Sequence, residues 1–277
     1  MNGWQQILAV GIGWSGAVLW QMWQKKRKDE KTAEWKWETG KEEQPVVYFL
    51  GAGPGKPEWL TLQGKAILEQ ADVILVDALV PPPTYFPHVP STTRVIKVGK
   101  RGGDPTSMKQ TEISKCIVSH ALEGKRVVRL KGGDPLIFGR LMAEMETLMK
   151  SNIPFCIVPG ITAASAAAAV SHLPLTRTHS ATSLLYLSGH DVDAINYDHF
   201  VSVDTIVLYM ATKNLSILLQ NGLRAGLLME TPVAVVRSAT CMQQQIMYST
   251  VDRMLSENTF VESPAIVLIG EGARPLV

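Results

Sequence analysis

Apolar residues in this chain come in short runs that stop at glycine, separated by stretches whose apolar positions recur every three or four residues. Val46-Val47-Tyr48-Phe49-Leu50 is a β-branched and aromatic run broken at once by Gly51-Ala52-Gly53-Pro54-Gly55, which predicts a strand entering a glycine loop. Helical spacing over 61–71, with Leu62, Ala66 and Ile67 apolar, leads to a buried run at 73–76 that ends in Asp77. Residues 94–99 predict a third strand, followed by the loop Lys100-Arg101-Gly102-Gly103. The stretch 109–122 predicts a helix with Ile113, Ile117 and Leu122 inward and Cys116 in the core. A fourth strand, 127–131, then stops in Gly132-Gly133-Asp134-Pro135. That stretch is either a tight turn capping a helix or the floor of a ligand pocket. Asp77 is likewise either a turn residue or a functional carboxylate at a sheet edge.

Repeated strand, glycine loop and helix is the signature of a mostly parallel sheet covered on both faces. Past Pro159-Gly160, the alanine-rich stretch 161–170 predicts a helix. Its free N–H groups either hold an anionic ligand or are capped by Thr162. Runs at 183–187, 205–209, 233–236 and 265–269 alternate with helical spacing, including 214–222, and predict a second sheet. The expected organisation is two α/β domains, 46–158 and 159–277.

The first 45 residues follow another pattern. Residues 4–23 carry no charge, and 20 helical residues reach about 30 Å, the thickness of a hydrocarbon core. Trp4, Trp20 and Trp23 suit membrane interfaces, and Lys25-Lys26-Arg27-Lys28 predicts that the chain beyond stays on the cytoplasmic side. The expectation is a single-pass anchor helix at 1–24 and a charged linker at 25–45, with a helix lying on the membrane surface as the alternative. Gly11-Ile12-Gly13-Trp14-Ser15-Gly16 has the spacing of a dinucleotide fingerprint but lacks its βαβ setting, and is read as a decoy.

Composition narrows the function. Over 277 residues, 46% hydrophobic and 19% charged content describes a globular chain, and a net charge of +2 argues against a nucleic-acid partner. The charge is uneven: between Arg94 and Lys131 stand ten basic residues and three acidic ones. Part of that excess falls on the loop rim, where it would attract a polyanionic small molecule. Cys116, Cys156 and Cys241 are too widely spaced for a disulfide framework or a zinc site and suggest a reducing compartment. His88, His120, His179 and His199 show no ligand spacing, so no metal is expected.

Taken in order, Gly51-Ala52-Gly53-Pro54-Gly55, the strand ending in Asp77, Val98-Gly99-Lys100-Arg101 and Arg129-Leu130-Lys131-Gly132-Gly133-Asp134-Pro135 resemble the tetrapyrrole methylases. Val158-Pro159-Gly160-Ile161-Thr162-Ala163-Ala164-Ser165, Pro174-Leu175-Thr176, Ser188-Gly189-His190 and Glu262-Ser263-Pro264-Ala265 extend the likeness over roughly 46–272. Within that superfamily it is nearest to the enzymes that C-methylate uroporphyrinogen III. The resemblance implies two α/β domains with S-adenosylmethionine in the cleft between them, and a homodimer. It places cofactor contacts on Pro54, Gly132, Gly133, Asp134, Ile137, Thr162, Ala163, Met210 and Ala239, a proton acceptor on Asp77 and a proton donor on Lys100. Pattern alone would make Met210 and Ala239 core residues. Lys97, Arg101, Lys109, Arg129, Lys131 and Arg177 are the candidate grips for substrate carboxylates.

The implied reaction is methylation of uroporphyrinogen III at two ring carbons to precorrin-2, for sirohaem or cobalamin. Another precorrin methyltransferase, or a non-catalytic tethered module that binds a tetrapyrrole or cofactor, is the alternative. Ala78, His172, Arg177 and Ala239 depart from the residues common in the family, which touches substrate detail more than activity.

Overall fold

A computed structural model of the chain describes residues 46–80, 89–99 and 108–276. The expected anchor at 4–23, the linker at 25–45, Lys100 and Arg101 lie outside the described residues. The two sheets below belong to one compact unit, Gln44–Val277. Among the described residues no helix is long and apolar enough to cross a membrane.

The first sheet is wholly parallel. Its strands are β1 (Val47–Gly51), β2 (Val73–Val76), β3 (Arg94–Lys97), β4 (Val127–Lys131) and β5 (Phe155–Val158), in the order β3-β2-β4-β1-β5. From β1 the chain passes through α1 (Leu62–Leu68) toward β2. From β3 and β4 it runs the other way along the sheet, through α2 (Gln110–Leu122) and α3 (Leu141–Lys150). Right-handed crossovers in opposite directions must lie on opposite faces, and the packing agrees. Leu68 joins Leu50, Ile74, Val128 and Leu130 on one face, whereas Ile113, Ile117, Leu141 and Leu148 join Phe49, Leu75 and Val127 on the other. β1 and β4 are adjacent, and their connections diverge, so a crevice opens at their carboxyl ends.

Two helix faces differ from expectation. Leu62 is 88% exposed, and the buried positions of α1 are Gly64 and Leu68. The Thr61 hydroxyl caps the helix by accepting from the Gly64 N–H at 3.0 Å, and Gly64 then lies against Leu60 and Leu50. Leu122, at the end of α2, is exposed, and Ala121 and His120 turn inward instead.

The second sheet joins β6 (Leu184–Ser188), β7 (Thr205–Tyr209), β8 (Pro232–Arg237), β9 (Gln245–Thr250) and β10 (Ala265–Gly270) in the order β6-β7-β10-β8-β9. Only β6 and β7 are parallel; the other three pairings are antiparallel. The expectation of mostly parallel sheets is therefore corrected for this one. Residues 238–244 are too few for a parallel crossover, so β8 and β9 must form a hairpin. One face carries α6 (Leu215–Arg224), with Leu215, Leu218 and Leu219 against Leu208, Val233 and Val267. On the other, Ala164 and Ala167 of α4 (Ala163–Ser171) pack on Val207, Ala234 and Leu268. Two short helices, α5 (His199–Ser202) and α7 (Val251–Ser256), complete the layer.

Candidate active site

The loops after β1, β4 and β5 meet backbone to backbone. Ala52 N–H donates to the Lys131 carbonyl at 2.8 Å, and Gly53 and Gly133 exchange N–H···O bonds of 3.2 and 2.8 Å. A Cβ on Gly51 would stand 2.6 Å from both the Gly133 oxygen and the Gly160 nitrogen. The close approach read from the glycines is thus, at Gly51 and Gly160, an approach of protein to protein. Gly133 has φ +66°, a conformation that favours glycine. Gly132 is less crowded: among the described residues an added Cβ would meet Leu79, in ordinary contact at 3.5 Å.

Asp134 locks this arrangement. Its Oδ1 accepts from Leu136 N–H at 2.7 Å, and its Oδ2 from Gly160 N–H at 3.1 Å. Ile137, Ala163 and Ala239, three of the cofactor candidates, each pack against the core cluster between α4 and the second sheet. Pro54 is half-buried, and a Cβ on its neighbour Gly55 would lie 2.6 Å from Thr240 Oγ1, beside Ala239.

Thr162 does not cap α4 with its side chain. Its hydroxyl lies 2.7 Å from the Tyr209 hydroxyl, which also accepts from Ala164 N–H at 3.3 Å. Burial pushes the Tyr209 phenol above its ordinary pKa, so it stays protonated across the working range. The Phe138 ring packs against it at a 56° tilt, with centroids 4.9 Å apart. The next residue, Met210, is not core: it is 50% exposed with φ +53°. Ala239 sits between Ser238 and Thr240, both at positive φ. Left-handed backbone at non-glycine residues costs energy, and here it turns the chain sharply at the ends of β7 and β8.

The charged candidates divide. Asp77 is partly exposed at the end of β2, and the Arg129 guanidinium pairs with its Oδ1. Gly99, the last described residue before Lys100, packs against the backbone of Asp77 and Ala78. Lys97 and Lys109 are exposed. Arg129 and Lys131 are only 2% and 3% exposed and both engage Glu144, so the expectation that they grip substrate is corrected. They lie in a central strand of a parallel sheet, every residue of which is buried. Burial and the neighbouring Arg129 draw the Lys131 pKa below the ordinary lysine value. Arg177 donates to the Arg274 carbonyl beyond β10, at the opposite end of β7 from Met210.

Glu144, Tyr209 and Phe138 went unread in the sequence. Glu144 left one signal, a carboxylate between Leu141 and Leu148 on the apolar stripe of α3. Among the described residues, no three His, Cys, Asp or Glu side chains gather as metal ligands.

The chain that carries these turns matches known proteins. The family model for Tetrapyrrole (Corrin/Porphyrin) Methylases covers residues 46–254, and the chain belongs to that family. It is 35% identical over 229 residues to a uroporphyrinogen-III C-methyltransferase from Synechococcus elongatus, a match covering 82% of this chain and 93% of that protein. It is also 37% identical over 246 residues to a siroheme synthase from Zymomonas mobilis; that match covers 87% of this chain and 52% of the relative, so the chain spans about half of it. Uroporphyrin-III C-methyl transferase from Thermus thermophilus complexed with S-adenyl homocysteine has the same fold, with TM-score 0.71, 32% identity and coverage of 82% of this chain and 97% of that one.

Proposed function

We propose that the protein methylates uroporphyrinogen III at two ring carbons, with S-adenosylmethionine as donor, giving precorrin-2. The observation that carries this reading is the placement of Asp77, partly exposed at the carboxyl end of β2, beside the glycine turn that follows the neighbouring β4. When bound, S-adenosylmethionine supplies a methyl group already activated on a sulfonium. The protein's own part is therefore alignment and proton handling, and alignment alone can lower a barrier by several kcal/mol.

Pro54, Gly132, Gly133, Ile137, Thr162, Ala163, Met210 and Ala239 would hold the donor. The half-exposed Met210, at the end of β7, supports a ligand there. Asp77 accepts the pyrrole N–H proton released as the ring carbon is methylated, and Lys100 donates a proton or neutralises a substrate carboxylate. Lys97, Arg101 and Lys109 remain the grips for the eight carboxylates of the substrate. The working form is a homodimer, supported by the family resemblance. Attachment to a membrane through residues 4–23 rests on their uncharged run and the basic cluster after it. Sedimentation of the full chain and carbonate extraction of membranes test those two points.

The reaction is tested by incubating the full chain with uroporphyrinogen III and labelled S-adenosylmethionine. The expected product carries two added methyl groups, and S-adenosylhomocysteine accumulates. If neither forms while the ligands still bind, the chain is a binding module and the reading is wrong.

A further inference from the structure

Glu144 is a carboxylate with 0% side-chain exposure on an otherwise apolar helix stripe. Burying such a group requires its lone pairs to be filled. Oε1 accepts from Gln110 Nε2 at 2.9 Å, Arg129 Nε at 3.3 Å and Lys131 Nζ at 3.3 Å, and Oε2 accepts from Lys131 Nζ at 3.4 Å.

Arg129 is held just as fully. Nη1 donates to the Leu75 and Leu130 carbonyls at 3.4 and 3.3 Å, Nε to Glu144, and Nη2 to Asp77. A guanidinium is planar and rigid, so fixing Nε and Nη1 fixes the direction of Nη2. Asp77, with 30% side-chain exposure, is the one member of this chain of charges that reaches outward. Among the described residues the charged groups engaged in it are Asp77 just past β2, Arg129 and Lys131 from β4 and Glu144 from α3, with neutral Gln110 added by α2. Two negative charges balance two positive ones.

We propose that Glu144 is a positioning residue for methyl transfer: acting through Arg129, it sets the orientation of the Asp77 carboxylate and its readiness to take a proton. This rests on the reading of Asp77 as the proton acceptor. Without the Glu144 charge, two buried cations act on Asp77 alone, and a carboxylate in a more positive field accepts a proton less readily. Without the Lys131 charge the field moves the other way.

The test is the pH profile of single-turnover methyl transfer in the full chain, with uroporphyrinogen III and S-adenosylmethionine. Glu144→Gln should slow transfer about 10-fold near neutrality, a fraction of what a general base contributes. Its acid limb should move to lower pH, with S-adenosylhomocysteine affinity within about twofold of wild type, since only the field at Asp77 has changed. Lys131→Met should move the limb to higher pH. The double variant, whose buried charges balance again, should bring it back. A purely structural Glu144 would move no limb. If Glu144→Gln does not fold, Lys131→Met and the double variant are compared, and an identical limb in both overturns the inference. Asp77→Asn separates the two readings: loss of transfer there beside an unaltered Glu144→Gln profile sinks the role of Glu144 alone, while retained transfer in Asp77→Asn sinks the reading beneath it.

Discussion

Asp134 holds two loops with one carboxylate, since the Leu136 N–H and the Gly160 N–H bond to different oxygens. In the proposed site these bonds would let it act on a bound donor through the backbone of Gly132, Gly133 and Gly160. Hydrogen bonds to a charged group contribute about 1.5–3 kcal/mol each. Asp134→Ala, which removes both, should destabilise the fold by roughly 3 kcal/mol and weaken S-adenosylhomocysteine binding in the same variant. Denaturant unfolding and calorimetric titration check the pair of effects. Weakened binding with unchanged stability would mean that Asp134 meets the ligand directly. Tyr209 works in the same way on the other side of the seam, tying Thr162 and Ala164 to the end of β7.

At the scale of elements, Asp204 fastens β6 to β7. Its Oδ2 accepts from Thr182 N–H at 2.8 Å, Ser183 N–H at 2.9 Å, Ser183 Oγ at 2.7 Å and Thr182 Oγ1 at 3.2 Å. The Ser183 hydroxyl, the Ser183 and Thr182 N–H groups and the Thr182 hydroxyl hold the carboxyl below its ordinary pKa of 3.8. Because the folded value is the lower one, the unfolded chain takes up the proton first. The stabilisation is thus complete above pH 3.8 and is lost as pH falls through the folded value. Asp204→Asn should lower the melting temperature at neutral pH and flatten its decline below pH 4, roughly the ordinary carboxylate range. Parallel wild-type and variant curves across that range would refute the assignment.

The elements also show what could be read in advance. Four strands of the first sheet, β1 to β4, and the loops after them were legible because each run ends in a glycine or an aspartate; β5 went unread, since Phe155–Val158 is a four-residue run that passes into Pro159. β9 was not legible either, since Gln245–Thr250 shows no alternation of buried and exposed positions and begins at the last of three consecutive glutamines. Missing it hid the hairpin and left the second sheet looking parallel. Arg129 and Lys131 misled because charge in a strand normally faces water. Their partner, Glu144, comes 15 and 13 residues later, on a helix that only the fold brings back over the sheet. The loop positions could be read from the residues; the contacts between Gly133 and Gly160, or Thr162 and Tyr209, depend on tertiary closure.

The whole molecule places its candidate donor site where the sheets are joined. The loops at 51–55, 132–137 and 159–163 come from the first sheet, and Met210 and Ala239 follow β7 and β8 of the second. Asp134 to Gly160, Tyr209 to Thr162 and the packing of Gly55 on Thr240 hold those pieces together. A ligand touching all of them binds only when both sheets are folded, so its binding energy is added to one cooperative unit. At about 100 times its Kd, a ligand specific for the native state adds about 2.7 kcal/mol. For a protein of this size that corresponds to a rise in melting temperature of roughly 5–10 °C. Scanning calorimetry with saturating S-adenosylhomocysteine should therefore show a single endotherm moved upward as a whole, and a smaller movement in Asp134→Ala. Two endotherms, of which the ligand moves only one, would place the donor on one sheet and remove Met210 and Ala239, or the glycine loops, from its site.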